Sequence, residues 1–414
     1  MTEIYENKVG YKHTPLGFIP KEWKLKELRS ISLTVFSNVD KHIIEGEREV
    51  FLCNYKDVYY NNYIFSEMTF SRGTVNETEY EKFKVKKGDV IITKDSEDKR
   101  DIAISTFVLE DIPDLICGYH LALIRPTQGI LDGLFLSFAL SSYNVNHYFQ
   151  KRANGITRFG LDTDTVKSSL IPLPTIFEQK KIATILSTWD EGITRIQHLI
   201  NLLKRRNKGL IQVLFTGKKR LLGFENREWI KLNANLIFKS VSNKNNGAEQ
   251  LLSATQEFGI IPRNMLEARV TMPSGDTGSF KLVNKSDFVI SLRSFQGGIE
   301  YSNYRGLVSP AYTVLKPILP IVDEFYKHYF KSYDFIGHLA VAVIGIRDGK
   351  QVSYEDFSLL KLPYPDVGEQ KAIAEIIEKA VYEVNLYEKK LAQLQLEKKG
   401  LMQKLLTGEI RVKN

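Results

Sequence analysis

The sequence EQKKIATILSTWDEGITRIQHLINLLKRRNKGLIQVLFTG occupies residues 178–217, and a related sequence, EQKAIAEIIEKAVYEVNLYEKKLAQLQLEKKGLMQKLLTG, occupies residues 369–408. Together with their flanks, 171–221 and 362–412, the two stretches align without a gap at a constant offset of 191 residues. About a third of the aligned positions are identical. Identity over this length indicates an internal duplication, and self-similarity of this kind is decisive for architecture.

Apolar residues recur in both copies at alternating intervals of four and three. Sustained heptads of this kind predict coiled-coil helices, and we expect the two helices to pair antiparallel within the chain as a spacer roughly 57 Å long. The alternative is two independent surface helices. The predicted seam has one polar residue at the equivalent place in each copy, Asn207 and Lys398, where such residues fix register. Its other members are Ile182, Leu186, Trp189, Ile193, Ile196, Ile200 and Leu203 in the first copy, and Ile373, Ile377, Val384, Tyr387, Leu391 and Leu394 in the second.

Both helices have recognisable ends. Thr175 stands three residues before Glu178, and Asp366 stands three before Glu369, which is the spacing of a capping box. Thr-Gly at 216–217 and at 407–408 predicts the C-terminal stop of each helix.

A second similarity precedes each block. Leu16-Gly17-Phe18 with Glu22-Trp23 matches Leu222-Gly223-Phe224 with Glu228-Trp229 at an offset of 206 residues. The blocks between the conserved segments therefore differ in length, and both read as short strands, turns and a few helices. We predict an α+β protein with two pseudo-symmetric domains, 1–170 and 217–361, separated by an antiparallel coiled coil of helices in 171–216 and 362–414.

Composition excludes several classes of protein. The 414 residues carry a net charge of +8 and 43% hydrophobic residues, which is ordinary for a globular chain and permits an anionic partner. Two cysteines, Cys53 and Cys117, are too few for a disulfide framework or a cysteine-rich zinc site. No apolar run reaches the roughly 18 residues of a membrane span. We expect a cytoplasmic protein with no membrane association.

Polar loops follow equivalent predicted strands in the two blocks, at 93–100 and 291–297, and a basic residue follows a Gly-Ile step later in each block. Basic, amide and hydroxyl side chains suit contacts to phosphates and base edges, although each loop could simply be solvated. The candidate DNA-binding residues are Lys94, Ser96, Lys99, Arg100 and Arg158 in the first block, and Arg293, Ser294, Gln296, Arg305 and Arg347 in the second.

No catalytic constellation stands out. The chain lacks a phosphate-binding loop, a paired-histidine metal motif and the Asn/Asp-Pro-Pro-aromatic sequence of amino-methyltransferases, so we predict no catalytic residues, no metal and no cofactor. Asp89, Glu97 and Lys99 imitate the array of a metal-dependent nuclease. A charged loop produces such matches by chance, and we find no corresponding carboxylates in the second block.

The sequence resembles the DNA-specificity subunit of type I restriction-modification systems in two motifs. One is the opening segment at residues 11–23, and the other is I/L-P-x-P-x-x-x-E-Q-K, which occurs twice, each time before a long helix. The resemblance covers essentially the whole chain and implies a non-catalytic subunit whose two target-recognition domains read the halves of an interrupted double-stranded DNA site. It also implies two modification subunits that methylate adenine, with two restriction subunits as optional further partners. The alternatives are a related system with modification and cleavage in one chain, the nuclease, and a coiled-coil scaffold that binds no DNA.

Overall fold

The computed structural model describes residues 9–226, 228–266, 277–342 and 352–412. Contacts divide the chain into two compact units, Met1–Arg195 with Leu391–Asn414, and Ile196–Lys390. Each unit therefore contains one domain, the beginning of one long helix and the end of the other.

The first unit alternates short strands and helices. Its helices are α1 (Tyr55–Tyr59), α2 (Glu77–Phe83), α3 (Gly133–Ser141), α4 (Tyr143–Arg152), α5 (Thr163–Lys167) and the beginning of α6 (Ile176–Phe215). Its strands are β1 (Tyr11–Thr14), β2 (Gly17–Pro20), β3 (Lys24–Glu27), β4 (Ser32–Phe36), β5 (Arg48–Cys53), β6 (Tyr63–Ile64), β7 (Ser71–Val75), β8 (Val90–Thr93), β9 (Asp95–Ser96), β10 (Ser105–Val108), β11 (Leu115–Cys117), β12 (Leu121–Pro126), β13 (Phe159–Gly160) and β14 (Leu170–Leu173).

A five-stranded sheet in the order β4-β12-β8-β10-β6 organises this domain. The strand β8 is buried at every position, as expected of a β-branched apolar run in the interior of a sheet. One side of the core includes α3 and the beginning of α6, and the other includes the three-stranded sheet β11-β5-β7. Polar loops lie after the end of β8 and before the beginnings of β12 and β13.

The second unit repeats this plan, with fewer strands among its described residues. Its helices are the end of α6, α7 (Ala234–Ile237), α8 (Ser294–Gly297), α9 (Asp323–Tyr329), α10 (Tyr333–Ala342), α11 (Tyr354–Ser358) and the beginning of α12 (Val367–Leu406). Its strands are β15 (Ile230–Asn233), β16 (Phe238–Val241), β17 (Leu252–Thr255), β18 (Gly259–Pro262), β19 (Lys281–Val283), β20 (Phe288–Ile290), β21 (Glu300–Tyr301), β22 (Gly306–Val308), β23 (Thr313–Pro317) and β24 (Lys361–Tyr364).

The sheet order β16-β23-β20-β21 matches β4-β12-β8-β10 of the first domain, with antiparallel pairing throughout both sets. The pair β15-β24 corresponds to β3-β14, which joins the start of each domain to the segment before each long helix. The predicted α+β class and tandem duplication are confirmed.

The long helices pair antiparallel inside each unit. In the second unit, Lys204 pairs with Glu388 at 2.7 Å, and Asn207 Nδ2 donates to the Ala380 carbonyl at 2.8 Å, so residue numbers fall along one helix as they rise along the other. In the first unit, Lys398 forms an ion pair with Asp190. The two polar seam positions therefore have different partners, a carbonyl for Asn207 and a carboxylate for Lys398.

The predicted seam is buried or half-buried at every position. Ile182, Leu186 and Ile373, which also pack on a domain, are buried, as is Ile200, while Ile193 and Tyr387 are half-buried.

Both helices end where Thr-Gly predicts. Gly408 has φ +69°, and a Cβ there would lie 2.4 Å from Pro20 Cγ and 3.2 Å from the Trp23 ring. Gly217 has φ +65°, and its Cβ would lie 3.2 Å from the Trp229 ring. The glycines therefore supply the left-handed end of each helix and the space for a tryptophan.

We expect Gly408→Ala to destabilise the protein by about 1–2 kcal/mol for the left-handed backbone alone, with a further loss from the contact with Pro20. The control is Gly400→Ala, in the interior of α12 with no atom within 4 Å of the added Cβ, which should stabilise by up to about 1 kcal/mol. Thermal unfolding midpoints measure both, and a Gly408→Ala midpoint at or above that of the parent would contradict this account.

Candidate functional site

A buried carboxylate anchors the first domain to α6. Glu178 is 4% exposed and accepts hydrogen bonds from Trp23 Nε1 at 3.1 Å and from Arg411 Nε and Nη2 at 2.7 and 3.0 Å. The Arg411 guanidinium also lies 5.6 Å from the Trp23 ring centroid and pairs with Glu22. The hydrogen bond with Glu178 is the main cause that raises the pKa of Arg411.

The second domain has the same arrangement. Glu369 is fully buried and accepts from Trp229 Nε1 at 2.8 Å and from Arg220 Nε and Nη2 at 2.8 and 2.6 Å. The hydrogen bond with Glu369 raises the pKa of Arg220. We call each set of tryptophan, glutamate and arginine a domain anchor.

The anchors correct one sequence interpretation. Thr175 Oγ1 does accept from the Glu178 backbone N–H at 3.3 Å, as a helix cap should. The carboxylates of Glu178 and Glu369, however, bind tryptophan and arginine, because the ends of the long helices pack on the starts of the domains. The repeat contained the signal, since Arg220 and Arg411 share the offset of 191 residues and Trp23 and Trp229 share that of 206.

The glutamine after each anchoring glutamate makes a second set of buried contacts. Gln179 Nε2 donates to the Pro174 carbonyl at 3.0 Å, and its Oε1 accepts from the Asp132 backbone N–H at 2.8 Å. Gln370 donates to the Pro365 carbonyl at 2.9 Å and accepts from the Val322 N–H at 2.9 Å. The proline-rich and Glu-Gln elements of the repeated motif thus serve one purpose, the attachment of a domain to a helix.

Polar loops from three parts of the chain meet on the first domain. The strand β13 pairs with β9, which sets Phe159 opposite Ser96 and brings the preceding Arg158 to the loop after β8. His120, just before β12, contacts both Asp95 and Arg158. These segments line a groove with a volume of about 750 Å³, which we call the first-domain groove.

Two of the candidate residues in this region have internal roles. Lys94 Nζ donates to the Ser37 carbonyl at 2.8 Å and lies 4.6 Å from the Tyr119 ring centroid, and burial lowers the pKa of this amine. Ser96 is buried, and its hydroxyl accepts from the Asp98 N–H at 3.3 Å. Both residues shape the loop.

Lys99 and Arg100 point outward. Lys99 Nζ lies 5.4 Å from the Phe159 ring centroid. Arg100 is paired with Asp98 at 2.6 Å, and hydrogen bonds from Arg100 lower the pKa of Asp98 to about 2. The carboxylate offsets the charge of Arg100, so Lys99 is the less compensated cation of the two.

Three of the candidates in the second domain, Arg293, Ser294 and Gln296, lie in α8 or immediately before it. Arg293 and Gln296 are exposed, and their side chains make no hydrogen bond within the described residues. Ser294 is buried and accepts from the Ser291 N–H at 2.8 Å, while Arg305 binds Glu249 at 2.7 Å and Asn284 at 2.6 Å. Arg347 lies outside the described residues.

Lys331 is a residue that the sequence analysis did not find. Its Nζ binds Glu300 at 2.6 Å and the Gly297 carbonyl at 2.9 Å, and it therefore fixes the end of α8. No repeated motif marks this lysine.

Asp89 has a structural role that argues against the nuclease. It is 1% exposed, accepts from the Lys86 N–H at 2.8 Å and forms two hydrogen bonds with Arg125 on β12. The prediction that the second block has no corresponding carboxylate was wrong for Asp89, whose counterpart is Asp287. Asp287 accepts from the Asn284 N–H at 2.7 Å and pairs with Lys316 on β23 at 3.8 Å. Both aspartates close the turn before the central strand.

Within the described ranges, no cluster of three or more histidine, cysteine or acidic side chains is arranged to hold a metal ion. In the same part of the chain no helix combines the length and apolar character needed to cross a membrane.

A family model described as the type I restriction modification DNA specificity domain matches residues 20–205 and 234–396. Among curated proteins, the chain is 29% identical over 311 residues to the type I restriction enzyme MjaVIII specificity subunit of Methanocaldococcus jannaschii, covering 69% of this chain and 72% of that one. It is 26% identical, over all of this chain and 99% of the other, to a protein of the same organism provisionally named as the MjaX specificity subunit.

Solved structures show the same fold. The type I restriction-modification S subunit from M. genitalium matches with a TM-score of 0.53 and 17% identity, covering 93% of this chain and 96% of that chain. The HsdS subunit from Thermoanaerobacter tengcongensis matches with a TM-score of 0.51 and 15% identity, covering 95% and 98%.

We expect Glu178→Gln to lower stability by about 1.5–3 kcal/mol, because it keeps the shape of the side chain but removes the charge that binds Arg411. Glu369→Gln should act alike in the second unit. The control is Glu191→Gln, whose exposed pair with Arg195 should contribute no more than about 0.5 kcal/mol. Denaturant unfolding measures all three, and equal midpoints for Glu178→Gln and Glu191→Gln would show that the anchor contributes nothing.

Proposed function

Because the chain belongs to the family of type I restriction-modification DNA specificity subunits, we propose that its two domains read the two halves of an interrupted double-stranded DNA site. The proposal includes two modification subunits, bound to this chain, that methylate adenine within the site. Restriction subunits are optional further partners. The chain itself has no catalytic role in this scheme, requires no cofactor and works in the cytoplasm.

One observation carries the proposal. The two domains keep the same central sheet and the same anchor but differ in the loops at one end of that sheet. After β8 the first domain has Asp95, whereas the equivalent position after β20 has Arg293. Loops that present different hydrogen-bonding side chains at equivalent positions of one scaffold can specify different bases.

The second unit offers cations for the phosphate contacts that dominate affinity. Arg293 is exposed and unpaired within the described residues. Lys99 provides a comparable cation in the first unit. The internal hydrogen bond of Lys94 makes it a weaker candidate than the sequence alone suggests.

The experiment that tests the proposal is a domain exchange. We expect replacement of residues 1–170 by the corresponding block of another specificity subunit to change one half of the methylated motif and leave the other intact. Sequencing of methylated adenines in cells that carry the chain and its modification partner gives the motif. Replacement of residues 217–361 is the reciprocal control, and a change of both halves by either replacement would contradict independent reading.

A second measurement tests the phosphate contacts. We expect Lys99→Ala and Arg293→Ala each to reduce the slope of log affinity against log salt by about 0.9, the effect of one lost phosphate contact on duplex DNA. Lys94→Ala is the matched control and should leave the slope unchanged. Titration of a duplex with the assembled complex at several salt concentrations gives the slopes, and unchanged slopes for Lys99→Ala and Arg293→Ala would place the phosphates elsewhere.

A further inference from the structure

The first-domain groove contains a hydrogen-bonded cluster of three side chains. Asp95 begins the short strand β9, His120 lies just before β12 and Arg158 lies just before β13. His120 Nδ1 lies 2.8 Å from Asp95 Oδ1, and Arg158 Nη2 lies 3.2 Å from the same oxygen. Three segments that are distant in sequence thus converge on one carboxylate.

The cluster fixes the direction of an exposed arginine. The Arg158 side chain is 58% exposed, whereas that of Asp95 is only 18% exposed. Arg158 Nη2 lies 3.1 and 3.3 Å from the two nitrogens of His120, so the guanidinium packs against the imidazole and does not form one linear hydrogen bond. Tyr119 packs edge-on against His120 at 4.6 Å between ring centroids. The arginine is therefore held in place from behind while much of it faces solvent.

The rest of the guanidinium remains available. Arg158 Nε and Nη1 make no hydrogen bond with the described residues. A guanidinium carries five N–H donors in a rigid plane, and each parallel pair of donors includes one N–H of Nη2. Because Nη2 carries two N–H groups, the one that does not face Asp95 can still form an outward pair with Nε or Nη1. Paired acceptors at that spacing occur on a carboxylate, on a phosphate and on the O6/N7 edge of guanine.

The charges of the groove favour the base over the phosphate. Its walls carry several carboxylates beside Arg158, and these repel an anion but not the edge of a neutral base. They are Asp57, Asp95, Glu97, Asp98 and Asp101, and they outnumber the two lysines of the groove, Lys41 and Lys56.

We propose that Arg158, positioned by Asp95 and His120, reads one guanine of the half-site bound by the first domain. This rests on the proposed function and deepens it, because it assigns a base to a side chain and gives Asp95 and His120 a positioning role. Arg158 donates two hydrogen bonds to guanine O6 and N7 in the major groove. Asp95 contacts no base and acts through the guanidinium.

The test uses the full chain with its modification partner and maps methylated adenines in cells that carry Arg158→Lys, Asp95→Asn or both substitutions. Lysine keeps the charge of Arg158 but cannot form the fork. We expect Arg158→Lys to make one guanine position of the first half-site degenerate, with a loss of discrimination of about tenfold or more. Asp95→Asn should relax the same position, and the double variant should be no worse than Arg158→Lys alone.

The control variant is Arg48→Lys, since Arg48 is also exposed and paired with an aspartate, Asp114, in the same domain. It should leave every base of the motif specified. The second half-site is the internal control for folding and assembly, and it should remain unchanged in all variants. If Arg158→Lys abolishes methylation, binding of the assembled complex to duplexes with each of the four bases at each guanine pair of the first half-site replaces the mapping.

Several results would overturn the assignment. The first is a first half-site without any G·C pair. The second is Arg158→Lys with unchanged base preferences and a lower salt slope. The others are an equal loss of binding to all four bases in Arg158→Lys, and relaxation of different base positions by Arg158→Lys and Asp95→Asn. The second of these would make Arg158 a phosphate contact. A parent complex that methylates no bipartite motif would instead refute the proposed function, and the two failures are therefore distinguishable.

Discussion

The buried carboxylate at the start of each long helix is the constraint on which the architecture depends. An ionised carboxylate removed from water costs several kcal/mol unless it is paired and hydrogen-bonded. Glu178 meets this requirement with Trp23 and Arg411, which stand 155 and 233 residues away in the chain. The beginning of the first domain, the beginning of α6 and the segment after α12 must therefore come together before the charge is satisfied.

This requirement explains which parts of the duplication stayed alike. Residues that take part in the anchors are constrained by partners in three segments, so a change in one segment leaves a buried charge or donor without its partner. The loops after β8 and β20 take no part in the anchors. They can differ in length and in sign of charge, as Asp95 and Arg293 do, while the sheet beneath them is preserved.

Periodic patterns in the sequence predicted the fold well, because periodicity is a local property. The heptads predicted both helices, and Thr-Gly predicted their ends to within a residue. The anchors were missed because a capping box explained Glu178 locally, and no local pattern shows that a carboxylate will be buried against a tryptophan. Asp89 illustrates the same limit, since only the position of Arg125 on the neighbouring strand shows that its charge is already paired.

Side-chain roles in the loops could be predicted least, because residue type does not determine direction. Lys94 and Lys99 are five residues apart in one polar loop, yet one amine caps an internal carbonyl and the other faces outward. The difference arises from the aromatic ring and the Ser37 carbonyl that happen to lie beside Lys94, and these come from other parts of the chain.

The polar seam positions show how duplicated helices become non-equivalent. Asn207 needs only a backbone carbonyl, which every helix offers, whereas Lys398 needs a carboxylate and finds it in Asp190. The residue that corresponds to Asp190 in the second copy is Val381. If two α12 helices paired with each other, Lys398 would be buried against apolar neighbours and its charge would be unpaired. The ion pair therefore favours pairing of the first helix with the second, which is the arrangement that places one anchor in each unit.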